Sequence, residues 1–93
     1  MFSWDRRKAI ANFEKHRVSF EEAATIFADT EALDWEDLTH SNHEIRYKRI
    51  GLSIERNVLL VVYTVRRSRD GKETIRIISA RPASRKERQA YSG

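Results

Sequence analysis

Two apolar runs, Val58-Leu-Leu-Val-Val-Tyr63 and Thr74-Ile-Arg-Ile-Ile-Ser-Ala-Arg81, constrain the fold of this chain more than any other feature. Both have the length of a strand, and neither alternates cleanly between apolar and polar residues. Strand periodicity places Leu60, Val62, Ile75 and Ile77 on one side and Leu59, Val61, Tyr63 and Ile78 on the other. A sheet built on such strands has two apolar faces, and both must be covered. Between the runs, Asp70-Gly71 suits a tight hairpin turn that needs positive φ, so the two strands pair antiparallel.

The elements available for covering the sheet precede and follow these strands. Phe2 and Trp4 are apolar on alternate residues, which indicates a short extended segment packed on the core. Asp5 then stands as an N-cap for a helix from Arg6 to Lys15, with Ala9, Ile10 and Phe13 as its buried stripe and Lys8 and Lys15 towards its polar side. A second helix opens at Ser19, where Glu22 completes a capping box and Val18 can staple against Ala23. It runs to about Phe27 and buries Phe20, Ala23, Ala24 and Phe27.

Ala32 to Leu38 reads as a first strand and Thr39 to His43 as a polar turn. Glu44 to Ser53 alternates, with Ile45 and Tyr47 on one side and Arg46, Lys48 and Ile50 on the other; Gly51 marks its end or a bulge. Val58 to Arg66 and Thr74 to Arg81 complete the set, and the last three strands pair as an antiparallel meander. Ser84 and Glu87 repeat the capping-box pattern and open a short final helix towards Tyr91. The expected architecture is α+β, a single domain over residues 1–93: two N-terminal helices, a four-stranded, mainly antiparallel sheet and a short C-terminal helix. The N-terminal helices cover one face of the sheet. For the other face this chain offers only the last helix, so either that helix docks there or a partner completes the cover.

Charge is distributed unevenly. Residues 1–43 hold five Lys and Arg against nine Asp and Glu, whereas residues 44–93 hold thirteen against five. A folded domain with its positive charge concentrated in this way points to a polyanion, with RNA or DNA the commonest. The longest apolar run is strand-length, far short of the ~20 residues of a membrane span. The N-terminus carries charge where a signal peptide has its apolar region, and no cysteine is present, so a cytoplasmic protein is expected, with no membrane partner.

No Gly-rich phosphate loop, nucleophile elbow, His-Glu-x-x-His or cysteine motif occurs. His40 and His43, beside Glu44, lack a third strong ligand and read as a solvated turn, so neither a metal nor a cofactor is expected. His16, at the end of the first helix, is either a C-terminal cap favoured by the helix dipole or a proton-transfer group. Arg66 ends the third strand, Arg76 lies inside the fourth and Arg81 at its exit. Alternation puts Arg66 and Arg81 on one face and Arg76 on the other, beside Tyr63. An arginine within an apolar strand is costly unless paired or bound. Arg76 therefore has either an internal partner, such as Glu73, Glu87 or an N-terminal carboxylate, or an anionic ligand. Arg85, Lys86 and Arg88 on the last helix suit phosphate contacts. Tyr47, Tyr63 and Tyr91 are core or rim residues, or at most stacking platforms for bases.

Two long motifs resemble one known family. Phe2-x-Trp4-Asp5-x-x-Lys8-x-x-x-Asn12-x-x-Lys15-His16-x-Val18-x-Phe20-Glu21-Glu22-Ala23 resembles the opening of the BrnT toxins. So does the close, from Leu60-x-Val62-Tyr63-Thr64 and Arg66 through Ile75-Arg76-Ile77-Ile78-Ser79-Ala80-Arg81 to Glu87-Arg88 and Tyr91. The resemblance is weakest from Asp34 to Arg56. It implies a bacterial type II toxin with a fold like the RelE ribonucleases, which cuts RNA, arrests translation and is held inactive by a ribbon-helix-helix antitoxin similar to BrnA. With that antitoxin it would bind operator DNA and repress its own operon.

On that reading Arg66, Arg76 and Arg81 stabilise phosphate charge, His16 is the first choice for proton transfer, and Glu87 and Lys15 are the reserves. Lys8, Lys15, Arg85, Lys86, Arg88, Tyr63 and Tyr91 are the expected RNA contacts. The alternative is a non-catalytic basic module that binds RNA or a partner.

Overall fold

The computed structural model describes residues 1–92. A five-stranded mixed sheet forms its centre: β1 (Phe2–Trp4), β2 (Leu33–Glu36), β3 (Arg46–Leu52), β4 (Val58–Arg67) and β5 (Glu73–Pro82), in the order β1-β5-β4-β3-β2. β2 through β5 are antiparallel neighbours, as the hairpin and alternation signals require. The four-stranded expectation is corrected at the N-terminus. Phe2–Trp4 does not merely rest on the core; it pairs parallel to β5, and Ile75 N donates to Met1 O at 2.9 Å. Three residues leave little periodicity to read, and their partner lies some seventy positions away.

Helix α1 (Arg6–His16) starts where Asp5 accepts a hydrogen bond from Lys8 N, and ends at Arg17 in the left-handed region (φ 59°). Helix α2 (Phe20–Thr25) is capped by Ser19, whose Oγ accepts from Glu22 N at 3.0 Å, and continues as a 3₁₀ turn, Ile26–Ala28. Both pack on one face of the sheet, where Val18, Phe20, Ala23 and Ile26 meet Leu59, Val61, Ile77 and Ala80. Gly51 lies within β3, opposite Leu59, and neither ends the strand nor makes a bulge. A Cβ there would stand 3.0 Å from Ile26 Cβ, so glycine is what lets the sheet and the 3₁₀ turn approach.

The buried stripe of α1 differs from the expected one. Ala9 packs inward, but Ile10 and Phe13 are 57% and 45% exposed, and Asn12 is buried in their place. The amide of Asn12 is the reason. Its Nδ2 donates to Val18 O (3.1 Å) and Ala80 O (2.8 Å), and its Oδ1 accepts from Ala80 N (3.1 Å). These bonds turn the helix so that a polar residue faces β5.

Helix α3 (Arg85–Ser92) opens with the expected capping box: Ser84 N donates to Glu87 Oε1 (2.8 Å), and Glu87 N donates to Ser84 Oγ (3.2 Å). Across the sheet from the other helices, Tyr91 packs with Ile50, Leu60, Val58 and Ala83. The cover is partial, and the rest of that face stays open. Among the described residues, no helix is long and apolar enough to cross a membrane.

One irregularity decides what the open face presents. Val62 pairs with Ser79 but Tyr63 pairs with Ile77, leaving Ile78 as an extra residue, a β-bulge. Beyond the bulge the alternation of β5 is inverted relative to a regular strand. Ile77 therefore lies with Leu59 and Val61 under the helices, not with Leu60 and Val62. The arginines are corrected in the same way. Arg76 pairs with Thr64 and Arg81 with Leu60, two residues of one face of β4, and Arg66 follows on that face. All three arginines share the open face.

Candidate active site

At the end of the open face remote from α3, Lys8, Arg46, Arg66 and Arg76 line a cleft of about 150 Å³, with Asp5 and Glu44 at its rim. The two arginines of β4 and β5 come from the expected strands, and Lys8 arrives from the first turn of α1. Arg46 comes from β3, where it pairs with Thr64; its alternation with Lys48 was legible in the sequence, and both lie on this face.

Among the described residues, Arg76 is half-buried here and forms no ion pair with a carboxylate. Each candidate for an internal ion pair is occupied elsewhere or lies too far away. Glu73 binds Arg67 at 2.7 Å, and Glu87 binds Arg81. Asp5 is not within ion-pair distance. Its carboxyl is held below the usual range first by the Lys8 backbone N–H, with a smaller contribution from the charge of Arg76. Among the described residues the Arg66 side chain bonds only Glu44, at 3.3 Å with both side chains about half exposed, a contact worth little in water. The cleft thus holds a surplus of guanidinium charge, with Arg76 partly withdrawn from solvent.

Arg81 is placed on the same face but is engaged. Its two terminal nitrogens donate to the two carboxylate oxygens of Glu87 at 2.8 and 2.9 Å. That fork, together with the Ser84 bonds, lowers the Glu87 carboxyl to about 2. Glu87 stays ionised throughout the neutral range and ties α3 to β5.

His16 is not brought to the arginine cleft. It lines a second cleft of about 420 Å³, together with Arg17, Arg56, Arg88, Glu22 and Pro82. Lys15, Arg85 and Lys86 are exposed on their helices. Tyr63 and Tyr91, read as core or rim residues and at most as stacking platforms for RNA bases, serve the interior. Tyr63 is buried under the helices, donates to Asp34 Oδ1 at 2.6 Å and lies between the rings of Phe27 and Tyr47. Burial and Asp34 push its hydroxyl well above the usual phenol range. Tyr91 donates to Asp29 Oδ2 at 2.5 Å while its ring packs on the core. On the open face, Trp35 of β2 is the aromatic residue that is exposed, and strand alternation places it beside Lys48.

The polar turn before β3 is more ordered than its composition suggests. His40 Nδ1 lies 3.0 Å from Asp37 Oδ2. Among the described residues, no group of three or more His, Cys, Asp or Glu side chains is placed to hold a metal ion.

The chain belongs to the BrnT family: residues 4–87 match the family described as the ribonuclease toxin, BrnT, of type II toxin-antitoxin systems. Its fold is similar to that of the Brucella abortus ribonuclease toxin BrnT, known from a 1.1 Å crystal structure. The TM-score is 0.67 at 23% identity, over 91% of this chain and 99% of that one. No curated protein sequence matches the chain.

Proposed function

We propose that this BrnT-family chain is an endoribonuclease toxin that cleaves RNA on the open face of its sheet, using its own cationic side chains and no metal ion. The observation that carries this is Arg76, a half-buried guanidinium without an ion-pair partner among the described residues, set in one cleft with Arg46, Arg66 and Lys8. Keeping such a charge unpaired is unfavourable for the isolated protein, and an anionic ligand removes the penalty.

The reaction that suits these groups is attack of a ribose 2′-OH on the adjacent phosphate. Charge grows on the phosphoryl oxygens in the transition state, where preorganised donors contribute most. Arginine fits that task because its planar fork binds two oxygens and it never loses its proton. Arg66 and Arg76 take the reacting phosphate, with Lys8 and Arg46 around it. Arg81, held by Glu87, extends the cationic face towards α3. His16 and Arg88 in the second cleft, with Lys15, Arg85 and Lys86 nearby on the helices, bind the flanking RNA backbone.

An antitoxin partner follows from the type II family description. We assign it to the ribbon-helix-helix class, similar to BrnA, and the pair to repression of its own operon through operator DNA.

Induced expression in a bacterial host tests the reading. Growth should stop and total RNA should break down, and co-expression of the antitoxin should relieve both effects. Normal growth and intact RNA at confirmed soluble expression would refute it in favour of a non-catalytic binding module, whose affinity for RNA would fall stepwise with each cation removed and with salt.

A further inference from the structure

The cleft supplies charge but has no group suited to accepting a proton near neutrality. Lysine and arginine hold their protons, and the rim carboxylates are weak bases. A carboxylate–imidazole pair lies outside the cleft, in the turn between β2 and β3. There His40 Nδ1 faces Asp37 Oδ2 at 3.0 Å, the only carboxylate–imidazole contact among the described residues. The two ends of this pair differ in environment. The Asp37 side chain is 8% exposed and the His40 ring 61%, so the carboxylate is fixed and the ring reaches into solvent. The other ring nitrogen, Nε2, has no protein partner among the described residues.

This turn is bonded to the strand that lines the cleft. Asp37 N donates to Arg46 O at 2.8 Å, and Arg46 N donates to Ser41 Oγ at 3.0 Å. Ser41 Oγ in turn donates to Asp37 O at 2.7 Å. Strand register gives the direction. Trp35 pairs with Lys48 on the open face, so Asp37, two residues on and bonded to the backbone of Arg46, belongs to that same side. Burial raises the Asp37 carboxyl, but the His40 hydrogen bond and the charge of Lys48 outweigh it, and the group stays below its usual range. An ionised Asp37 on Nδ1 selects the tautomer that leaves a lone pair on Nε2.

We propose that His40 is the catalytic base of the RNA cleavage and that Asp37 is its positioning residue. This rests on the ribonuclease reading of the arginine cleft. Neutral His40 takes the proton of the 2′-OH on Nε2 as the O2′–P bond forms. The P–O5′ bond breaks with its electron pair passing to O5′, which is protonated by water. The products are a 2′,3′-cyclic phosphate and a 5′-hydroxyl. The resulting imidazolium is stabilised by Asp37, and it returns its proton to solvent.

The test uses the purified full chain, single-turnover cleavage of an RNA oligonucleotide, and separate binding of the same oligonucleotide made uncleavable by 2′-O-methylation. General base catalysis contributes about 10²–10⁴-fold. His40→Ala should slow cleavage by at least about 10²-fold while the affinity for the methylated RNA holds, and added imidazole should restore part of the rate. His40→Gln, at so exposed a position, keeps the fold and should be equally slow. Asp37→Asn should slow cleavage without weakening binding. Wild-type cleavage with an unimpaired His40→Ala, or with loss of binding in step with loss of rate, overturns the assignment of His40 alone. A wild-type chain that leaves RNA uncut overturns the ribonuclease reading and this assignment together.

Discussion

Arg76→Ala is expected to remove RNA cleavage almost completely while leaving the protein as stable as before. Deleting one preorganised donor to a developing oxyanion costs about 10²–10³-fold in rate, and Arg76, like Arg46, is half-buried in the cleft, whereas Lys8 and Arg66 are exposed. The stability half of the prediction matters as much as the activity half. Breaking a buried ion pair destabilises by about 3–5 kcal/mol, because one charge is left stranded. Among the described residues, Arg76 has no carboxylate to strand, since Glu73 and Glu87 are bound to Arg67 and Arg81. Thermal melting of Arg76→Ala should therefore match wild type or rise slightly. Arg76→Lys keeps the charge but loses the two-pronged geometry, and should recover only part of the activity. A variant that melts far below wild type would assign Arg76 a structural role instead; a stable variant that still cleaves at the wild-type rate would exclude it from the chemistry.

Asn12→Ala carries the largest expected effect on stability. A single amide satisfies the Val18 carbonyl and both backbone groups of Ala80, all in the interior. Each buried group left without a partner costs about 1–3 kcal/mol, so a loss of about 3 kcal/mol or more follows. On a domain of this size that lowers the melting temperature by about 12–24 °C. Asn12→Asp should do no better, because a carboxylate can accept from Ala80 N but cannot donate to either carbonyl. Circular-dichroism melting checks both variants, and a shift of only a few degrees would mean that α1 is held to β5 mainly by its apolar contacts. Activity should fall along with stability, since Ala80 stands between the bulge at Ile78 and Arg81.

The parts of the fold that could be read from the residues are those set by short-range chemistry. The caps at Asp5, Ser19 and Ser84, the Asp70-Gly71 hairpin and the alternation of β3 each depend on residues within a few positions of one another. The basic character of β4 and β5 was equally plain. The misread features depend on partners far away in sequence. β1 is defined by β5, and the rotation of α1 by Ala80, whose bonds to Asn12 prevail over burial of Ile10 and Phe13. The bulge at Ile78 carries no glycine to mark it, yet it moves Arg76 to the face of Arg66 and Arg81. Strict alternation therefore assigned that arginine to the wrong side of the sheet. His40, which with His43 reads as a solvated turn, instead faces Asp37 just past the end of β2, and bonds to Arg46 hold that turn against β3.

The site itself was legible as a set of cations and not as a constellation. Lys8, Arg66 and Arg76 do converge, Arg81 shares their face by strand register but is engaged with Glu87, and His16 stands in a different cleft. Linear order held no information on which cations would meet, because the meeting point is created by one parallel strand pair and one bulge.

The most direct test of metal-independent cleavage on the open face is to incubate the purified wild-type chain with RNA in excess chelator and to determine the ends of the fragments. Fragments bearing 2′,3′-cyclic phosphates and 5′-hydroxyls, formed at a rate that the chelator does not change, are the predicted result. Intact RNA, or 3′-hydroxyl and 5′-phosphate ends that form only when a divalent cation is restored, would contradict it.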